Sequence, residues 1–158
     1  MTIVSEPAIR IEEDVTLEIC IEASADTIFP FLTDAELASR WMGVESELDP
    51  RPGGIYRHVL NPQAISRGEF VEVDPPRRLV FTFGWEGEGQ HVPAGSTTVA
   101  IDLIPEGEVT LLRLTHSGLP SQETKPDHGE GWSQYVARLK VVAEGGDPGR
   151  DPHADQQS

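Results

Sequence analysis

The residue with the greatest potential for chemistry is His116, which ends a predicted strand and shares a face with Leu112 and Leu114. An imidazole in such a place can act as a general acid or base, or as a polar handle for a bound ligand, because it titrates near neutral pH. The alternative is a structural histidine that hydrogen-bonds the turn between the strand and the next helix. No partner carboxylate can be identified from the sequence, so His116 is a candidate catalytic residue with a structural role as the alternative.

Aromatic side chains form a second group, suited to binding rather than reaction. Phe81, Phe83 and Trp85 alternate along one predicted strand and therefore point to one face of a sheet. The full set of candidate ligand-binding residues is Trp41, Tyr56, Phe81, Phe83, Trp85, His116, Trp132 and Tyr135. The alternative for the aromatic rings is plain core packing, which stabilises a fold by roughly 2 to 3 kcal/mol per buried ring without any ligand.

Metal and cofactor chemistry find little support in the sequence. His58, His91, His128 and His153 are scattered, and no two of them have metal-ligand spacing on one element. The single cysteine, Cys20, lies in a strand-like pattern and excludes an intrachain disulfide. Glycines 84, 87 and 89 follow a strand but precede no helix, so a phosphate-binding loop is not indicated. We predict no metal and no cofactor.

The net charge of the chain argues against partners that carry many negative charges. Among 158 residues, 27 are Asp or Glu and 12 are Lys or Arg, which gives a formal net charge of −15. Such a surface repels phosphate backbones and anionic lipid headgroups, so nucleic acid is not an expected partner. The sequence also lacks a signal-peptide pattern and any apolar run of membrane-spanning length. We therefore predict no membrane insertion and a cytoplasmic location.

The elements that must position these residues follow from hydrophobic periodicity. A strand over residues 15–22 precedes two short helices, and five or six further strands with short turns follow. A last helix carries Trp132, Tyr135, Val136 and Leu139 on one face and ends at Gly145-Gly146. We predict a polar leader over residues 1–14, one domain over residues 15–145 and a disordered acidic tail over residues 146–158.

This order predicts an α+β fold in which a curved antiparallel sheet of six to seven strands wraps the long C-terminal helix. One helix carries a single apolar stripe, whereas the sheet offers a wide apolar face. The helix cannot cover that face tightly everywhere, so a cavity lined by aromatic and aliphatic side chains is expected between them, unless side chains fill it.

An ordered series of short motifs resembles a known family. The series comprises Trp41-Met-Gly43, Asp49-Pro-Arg-Pro-Gly-Gly-Ile-Tyr56, Gly68-Glu-Phe-Val-Glu-Val-Asp-Pro-Pro-Arg-Arg-Leu-Val-Phe-Thr-Phe83, Leu114-Thr-His-Ser-Gly-Leu-Pro120 and Gly131-Trp132. It resembles the AHSA proteins (activator of Hsp ATPase homologues) of the SRPBCC, or START-like, superfamily. The likeness covers roughly residues 12 to 145. It implies the helix-grip fold and a ligand-capable cavity between the sheet and the final helix.

Three functions follow as hypotheses. The first is a binding module for a small hydrophobic or amphipathic molecule. The second is a cyclase- or hydrolase-like enzyme that uses His116. The third is a chaperone- or stress-linked interaction protein, as the family name implies. The eukaryotic cochaperone of the family has an additional Asn- and Trp-rich stimulatory segment that this sequence does not show, so a chaperone interaction is not expected, whereas a homodimer is compatible with the sequence.

Overall fold

Residues 6–155 are described by the computed structural model, and their central feature is one antiparallel sheet that curves around a long helix. The strands are β1 (Ala8–Ile11), β2 (Val15–Ile21), β3 (Glu45–Leu48), β4 (Ile55–Asn61), β5 (Ala64–Asp74), β6 (Arg78–Phe83), β7 (Thr97–Glu106) and β8 (Val109–Ser117). The α-helices are α1 (Ala25–Thr33), α2 (Ala35–Ala38) and α3 (Thr124–Ala143), and a 3₁₀ turn covers Pro152–Asp155.

The eight strands are ordered β1-β2-β8-β7-β6-β5-β4-β3, and each neighbouring pair is antiparallel. The register places inward side chains in rows across the sheet. One such row joins Leu17, Leu114 and Ile101, with Leu79 opposite Ile101 on β6. Because side chains alternate along each strand, the same register points a continuous apolar surface towards α3.

Helix α3 supplies the other half of the core. Trp132, Tyr135, Val136 and Leu139 are buried on its inner face, which confirms the stripe predicted from the sequence. The helix begins at Thr124, whose hydroxyl donates to the carbonyl oxygen of Ser121, and it is followed by Gly145 at φ +92°. A left-handed residue just past a helix is the usual place for glycine, because it has no Cβ to clash.

The two short helices close one end of the sheet. Ser24 caps α1 and Asp34 caps α2, each by accepting a hydrogen bond from a backbone N–H in the first turn. Pro30 lies inside α1, and this helix ends within one turn of it, as expected for a ring that removes a backbone donor. Trp41 follows α2 and lies in the core, where its indole N–H donates to the carbonyl oxygen of Phe31.

The structure differs from the prediction at the N-terminal segment, where a leader was expected and strand β1 is found. Residues 8–11 are Ala-Ile-Arg-Ile, and β1 pairs with β2 along its whole length. Ile9 and Ile11 reach towards Gly129 of α3, and Lys125 Nζ donates to the carbonyl oxygen of Glu12 at 3.2 Å. This strand raises the count from the predicted six to seven strands to eight. Residues 1–5 of the predicted leader lie outside the described residues.

The structure also differs at the C-terminal segment, where disorder was expected. Residues 147–155, called the strap below, lie across the middle of α3, and the carboxylate of Asp151 is buried. The acidic, proline-containing composition indicated disorder because it has few apolar side chains. Polar contacts hold the strap instead, and they are described with the site. Residues 156–158 of the predicted tail lie outside the described residues.

Candidate functional site

A cavity of about 240 Å³ opens beside the N-terminal half of α3, between that helix, strands β4 and β5, and the strap. Its apolar lining comes from Met42, Leu60, Ala64, Phe83, Trp85 and Trp132. The remaining lining residues are Asn61, Asp127, His128, Gly131, Tyr135 and His153. The surface inside the cavity is therefore largely aromatic and aliphatic, with polar groups placed at few positions.

Phe83 lies at the centre of the aromatic wall. Its ring centroid is 5.4 Å from that of Trp85 and 5.5 Å from that of Trp132, with the His116 ring 5.0 Å away. These rings meet edge to face or tilted, which are the favoured geometries for aromatic contacts. The wall is consequently held by several mutual ring contacts and does not depend on a ligand for its shape.

The strand that carries this wall ends early. Trp85 was expected to lie on the same strand as Phe81 and Phe83, but β6 ends at Phe83, and Trp85 makes only isolated bridges to Ser66 and Pro93. Gly84 explains the break, because a Cβ there would lie 1.7 Å from the carbonyl oxygen of Pro93. The close approach of the residue 84–96 loop turns Trp85 towards α3 and the cavity.

Both indole N–H groups of the aromatic wall donate hydrogen bonds to histidines. Trp85 Nε1 donates to His128 Nε2 at 3.1 Å, and Trp132 Nε1 donates to His116 Nδ1 at 3.0 Å. His128 in turn bonds through Nδ1 to the carbonyl oxygen of Thr124 at 2.7 Å. Because that oxygen only accepts, Nδ1 carries the ring hydrogen of His128 and Nε2 is the acceptor.

His116 is fully buried behind this wall rather than exposed in the cavity. Its Nδ1 accepts from Trp132, so its Nε2 carries the hydrogen and donates to Thr97 Oγ1 at 2.8 Å. The Thr97 hydroxyl in turn donates a hydrogen bond to the carbonyl oxygen of Phe83 at 2.7 Å. Burial, with a smaller contribution from His128, lowers the pKa of His116 to about 3, so the ring is neutral at pH 7.

The strap closes the opposite side of the cavity through Tyr135. The Tyr135 hydroxyl donates to Asp151 Oδ2 at 2.7 Å and lies 3.0 Å from His153 Nδ1, and the His153 ring stacks on the tyrosine ring. Burial, followed by the hydrogen bond to Asp151, raises the pKa of Tyr135 well above its ordinary value, so the hydroxyl keeps its proton.

Arg138, one turn further along α3, binds the rest of the strap. Its Nε donates to the carbonyl oxygen of Trp41 at 2.8 Å, and its terminal nitrogens donate to the carbonyl oxygens of Pro148 and Gly149. A guanidinium has five N–H donors and can serve several carbonyl groups at once. The strap is therefore fixed to both α3 and the segment that follows α2.

Directly beneath α3 the interior is almost filled. The second void holds only about 10 Å³, lined by Leu32, Trp41, Tyr56, His58, Leu79, Phe81, Ile101 and Trp132. Tyr56 stacks on Phe81 with ring centroids 3.9 Å apart, and burial lowers the pKa of His58 to about 4. The open space therefore lies beside the helix, whereas side chains fill the space between the helix and the centre of the sheet.

Within residues 6–155 no group of three or more His, Cys, Asp or Glu side chains is arranged to hold a metal ion. In the same part of the chain, no helix combines the length and the apolar character needed to cross a bilayer.

Comparison with known families gives the relationship of this chain. The model of the family described as "Activator of Hsp90 ATPase homolog 1-like protein" matches residues 22–144. The chain belongs to this family. The resemblance seen in the sequence motifs is confirmed, and the sheet and helix of this AHSA1-like domain form the SRPBCC helix-grip fold.

Solved structures agree with the AHSA1-like assignment. The solution structure of an AHSA1-like protein from Rhizobium etli is 43% identical, with 99% of this chain and 96% of that chain covered and a TM-score of 0.71. CalU16 from Micromonospora echinospora is 27% identical, with 100% and 84% covered and a TM-score of 0.73. The Aha1 dimer from Colwellia psychrerythraea, at 19% identity, 84% and 97% coverage and a TM-score of 0.73, shows the fold alone. No curated protein matches the chain.

The site residues predicted from the sequence lie in three places in the AHSA1-like domain. Phe83, Trp85, Trp132 and Tyr135 line the cavity. Trp41, Tyr56 and Phe81 lie around the small void beneath α3 instead, and His116 is behind the wall. His116 bonds to Trp132 and thus holds the aromatic wall in place without facing the cavity.

Several lining residues of the AHSA1-like domain were not among the predicted site residues. His128 was considered only as a metal ligand, yet it stands four residues before Trp132 and four after Thr124, a spacing that places all three on one face of α3. Asp127 and Gly131 flank the same face. His153 could not be predicted as a lining residue, because no local sequence pattern indicates the contact between the strap and Tyr135.

Proposed function

We propose that this AHSA1-like domain binds a small, mainly apolar ligand in the cavity beside α3. The observation that carries the proposal is an open volume of about 240 Å³ with an aromatic wall, next to an interior that is otherwise filled. Ligand pockets for drug-sized molecules typically measure about 300 to 1,000 Å³. We therefore expect a ligand no larger than one or two fused rings.

The environment of His116 favours binding over catalysis by this residue. Both of its ring nitrogens are engaged, one by Trp132 and one by Thr97. A general acid or base must reach the proton it transfers within hydrogen-bond distance of a substrate. His116 does not meet this condition while its neutral ring links the helix to the sheet, so we infer a structural role for it.

Gly131 offers a direct test of the cavity. It lines the open space, and a Cβ built on it would meet no atom within 4 Å. Gly131→Leu fills the cavity from a helical position where leucine is favoured over glycine by up to about 1 kcal/mol. We expect this variant to be at least as stable as the parent protein and to lose ligand binding.

The measurement is a titration of the labelled protein with 2-naphthylmethanol, followed through the three indole N–H resonances. Trp85 and Trp132 line the cavity whereas Trp41 does not, so the first two signals are expected to move and the third to act as an internal reference. Gly131→Ala is the matched control, because it gains helix propensity and leaves most of the volume open.

The outcome decides the proposal. Equal binding by the Leu and Ala variants, or no shift of the Trp85 and Trp132 signals in the parent protein, contradicts a ligand in this cavity. Two other expectations stay predictions, a cytoplasmic location and the absence of a chaperone interaction, and a homodimer stays compatible with the sequence.

A further inference from the structure

We propose that the ligand carries a positive charge, as a protonated amine on an apolar body, and that the charged group lies against Asp127. This inference rests on the proposed function and adds the chemical class of the ligand. It follows from asking which polar groups of the cavity lining are still free to bind one.

The hydrogen-bond donors of the aromatic wall are already used. The indole N–H of Trp85 is bonded to His128, and that of Trp132 is bonded to His116. The remaining ring hydrogen of His128 goes to the carbonyl oxygen of Thr124. The wall therefore presents aromatic rings to a ligand and no free N–H donor.

Most donors on the strap side are used as well; the exception is one of the two Nδ2 hydrogens of Asn61, which has no partner within residues 6–155. Asn61 Nδ2 donates to the carbonyl oxygen of His153 at 2.9 Å, while its Oδ1 accepts from the backbone N–H of Gln63. The Tyr135 hydroxyl donates to Asp151, so His153 Nδ1 donates to the tyrosine oxygen. His153 Nδ1 also lies 3.4 Å from Asp151 Oδ1.

Asp127 is the complementary feature. Asp127 is an exposed residue of the cavity lining. Its carboxylate makes no hydrogen bond and no ion pair with any other residue in the range 6–155. A carboxylate can only accept hydrogen bonds. Asp127 is thus a charged acceptor of the lining, and a ligand that brings hydrogen-bond donors fits it better than one that brings acceptors.

Charge and ring geometry point the same way. The chain has a net charge of −15, which raises the local concentration of cations and repels anions. The faces of Phe83, Trp85 and Trp132 carry negative electrostatic potential and attract a cation placed over them. Fatty-acid carboxylates and phosphate esters would meet Asp127 with the same sign of charge, so the site selects against them.

Three probes with one naphthyl body separate charge from shape. These are 2-naphthylmethylamine, which is protonated at neutral pH, the neutral 2-naphthylmethanol and the anionic 2-naphthoate. Calorimetric titration is expected to give the order amine, alcohol, carboxylate, with the amine bound about tenfold more tightly than the alcohol. Added salt should reduce this ratio, because the rim is exposed to solvent.

Asp127→Asn is the decisive variant, and Glu130→Gln is its matched control. Glu130 is an exposed carboxylate one turn along the same helix and does not line the cavity. We expect Asp127→Asn to bind the amine and the alcohol with nearly equal affinity, while Glu130→Gln keeps the preference of the parent protein.

Each result has a separate meaning. Equal binding of the amine and the alcohol to the parent protein overturns the charge inference but leaves the proposed cavity ligand standing. A preference that survives in Asp127→Asn rejects Asp127 as the partner. Failure of all three probes to bind counts against the proposed function itself.

Discussion

The hydroxyl oxygen of Tyr135 and the carboxylate oxygen Oδ2 of Asp151 lie 2.7 Å apart and join the middle of α3 to the strap. The same carboxylate oxygen accepts the backbone N–H of Gly43 at 2.7 Å, and its twin accepts the N–H of His153 at 2.8 Å. One buried carboxyl group therefore connects three segments that are distant in sequence. Buried polar groups that are fully satisfied in this way specify a single arrangement of the chain.

Asp151→Ala is expected to destabilise the protein by about 2 to 3 kcal/mol, because it leaves the Tyr135 hydroxyl and the Gly43 N–H buried without an acceptor. Urea unfolding of the two proteins measures the difference. Asp147→Ala is the control, since the Asp147 carboxylate accepts only from the nearby N–H of Gly149 and is exposed. A loss no larger than that of the control would show that the strap contributes little to stability.

Stability is expected to rise with pH between pH 5 and 6.5 because of His58 and His116. Burial lowers their pKa values to about 4 and about 3, from an ordinary value of 6.5. Below pH 6.5 the unfolded chain binds a proton at each residue that the folded chain does not. The contribution is fully present above pH 6.5 and is lost as the pH falls towards the folded pKa values.

The size of this effect is roughly 1.5 kcal/mol for each histidine between pH 6.5 and pH 5. Unfolding free energies measured at several pH values in this window test it, and His116→Gln is expected to remove about half of the slope. A stability that stays flat across the window would contradict neutral burial of these rings.

The hydrogen-bond directions predict opposite tautomers for His116 and His128. Trp132 donates to Nδ1 of His116, so this ring should carry its hydrogen on Nε2. His128 donates from Nδ1 to the carbonyl oxygen of Thr124 and should carry its hydrogen there. Long-range nitrogen–proton correlation spectra at neutral pH distinguish the two forms. Finding the same tautomer in both rings would refute the chain of bonds behind the aromatic wall.

Much of the fold could be predicted because its signals are local. The alternation of β2, β7 and β8 and the stripe on α3 depend only on which side chains are apolar, and the structure confirms them. Strand β1 was missed because it is only four residues long and lies at the edge of the sheet, where Ile9 and Ile11 stay partly exposed. Short edge strands carry little apolar contrast.

The site was predictable only in part. The aromatic side chains could be assigned to the inner face, but local periodicity does not tell which of them pack against each other and which border an open space. Tyr56 and Phe81 stack and fill the interior, whereas Phe83 and Trp85 lie two and four residues further along and reach the cavity. That division depends on the break at Gly84 and on the position of the strap.

The strap itself illustrates the hardest kind of contact to predict. Its partners are the N–H of Gly43, the amide of Asn61, the hydroxyl of Tyr135 and the guanidinium of Arg138. Gly43 is 108 residues away from Asp151. An acidic residue in a segment with few apolar side chains is usually solvated. The buried N–H of Gly43 and the hydroxyl of Tyr135, which both donate to the Asp151 carboxylate, come together only in the folded chain.

Because His153 forms part of the cavity wall, the choice of fusion site matters for any assay of this protein. A purification tag or fluorescent reporter fused directly after the strap would lie next to that wall and would crowd the entrance or pull on the strap. Screening should use protein tagged at the opposite end or with the tag cleaved off. A difference in probe affinity between two such preparations would itself report on the strap.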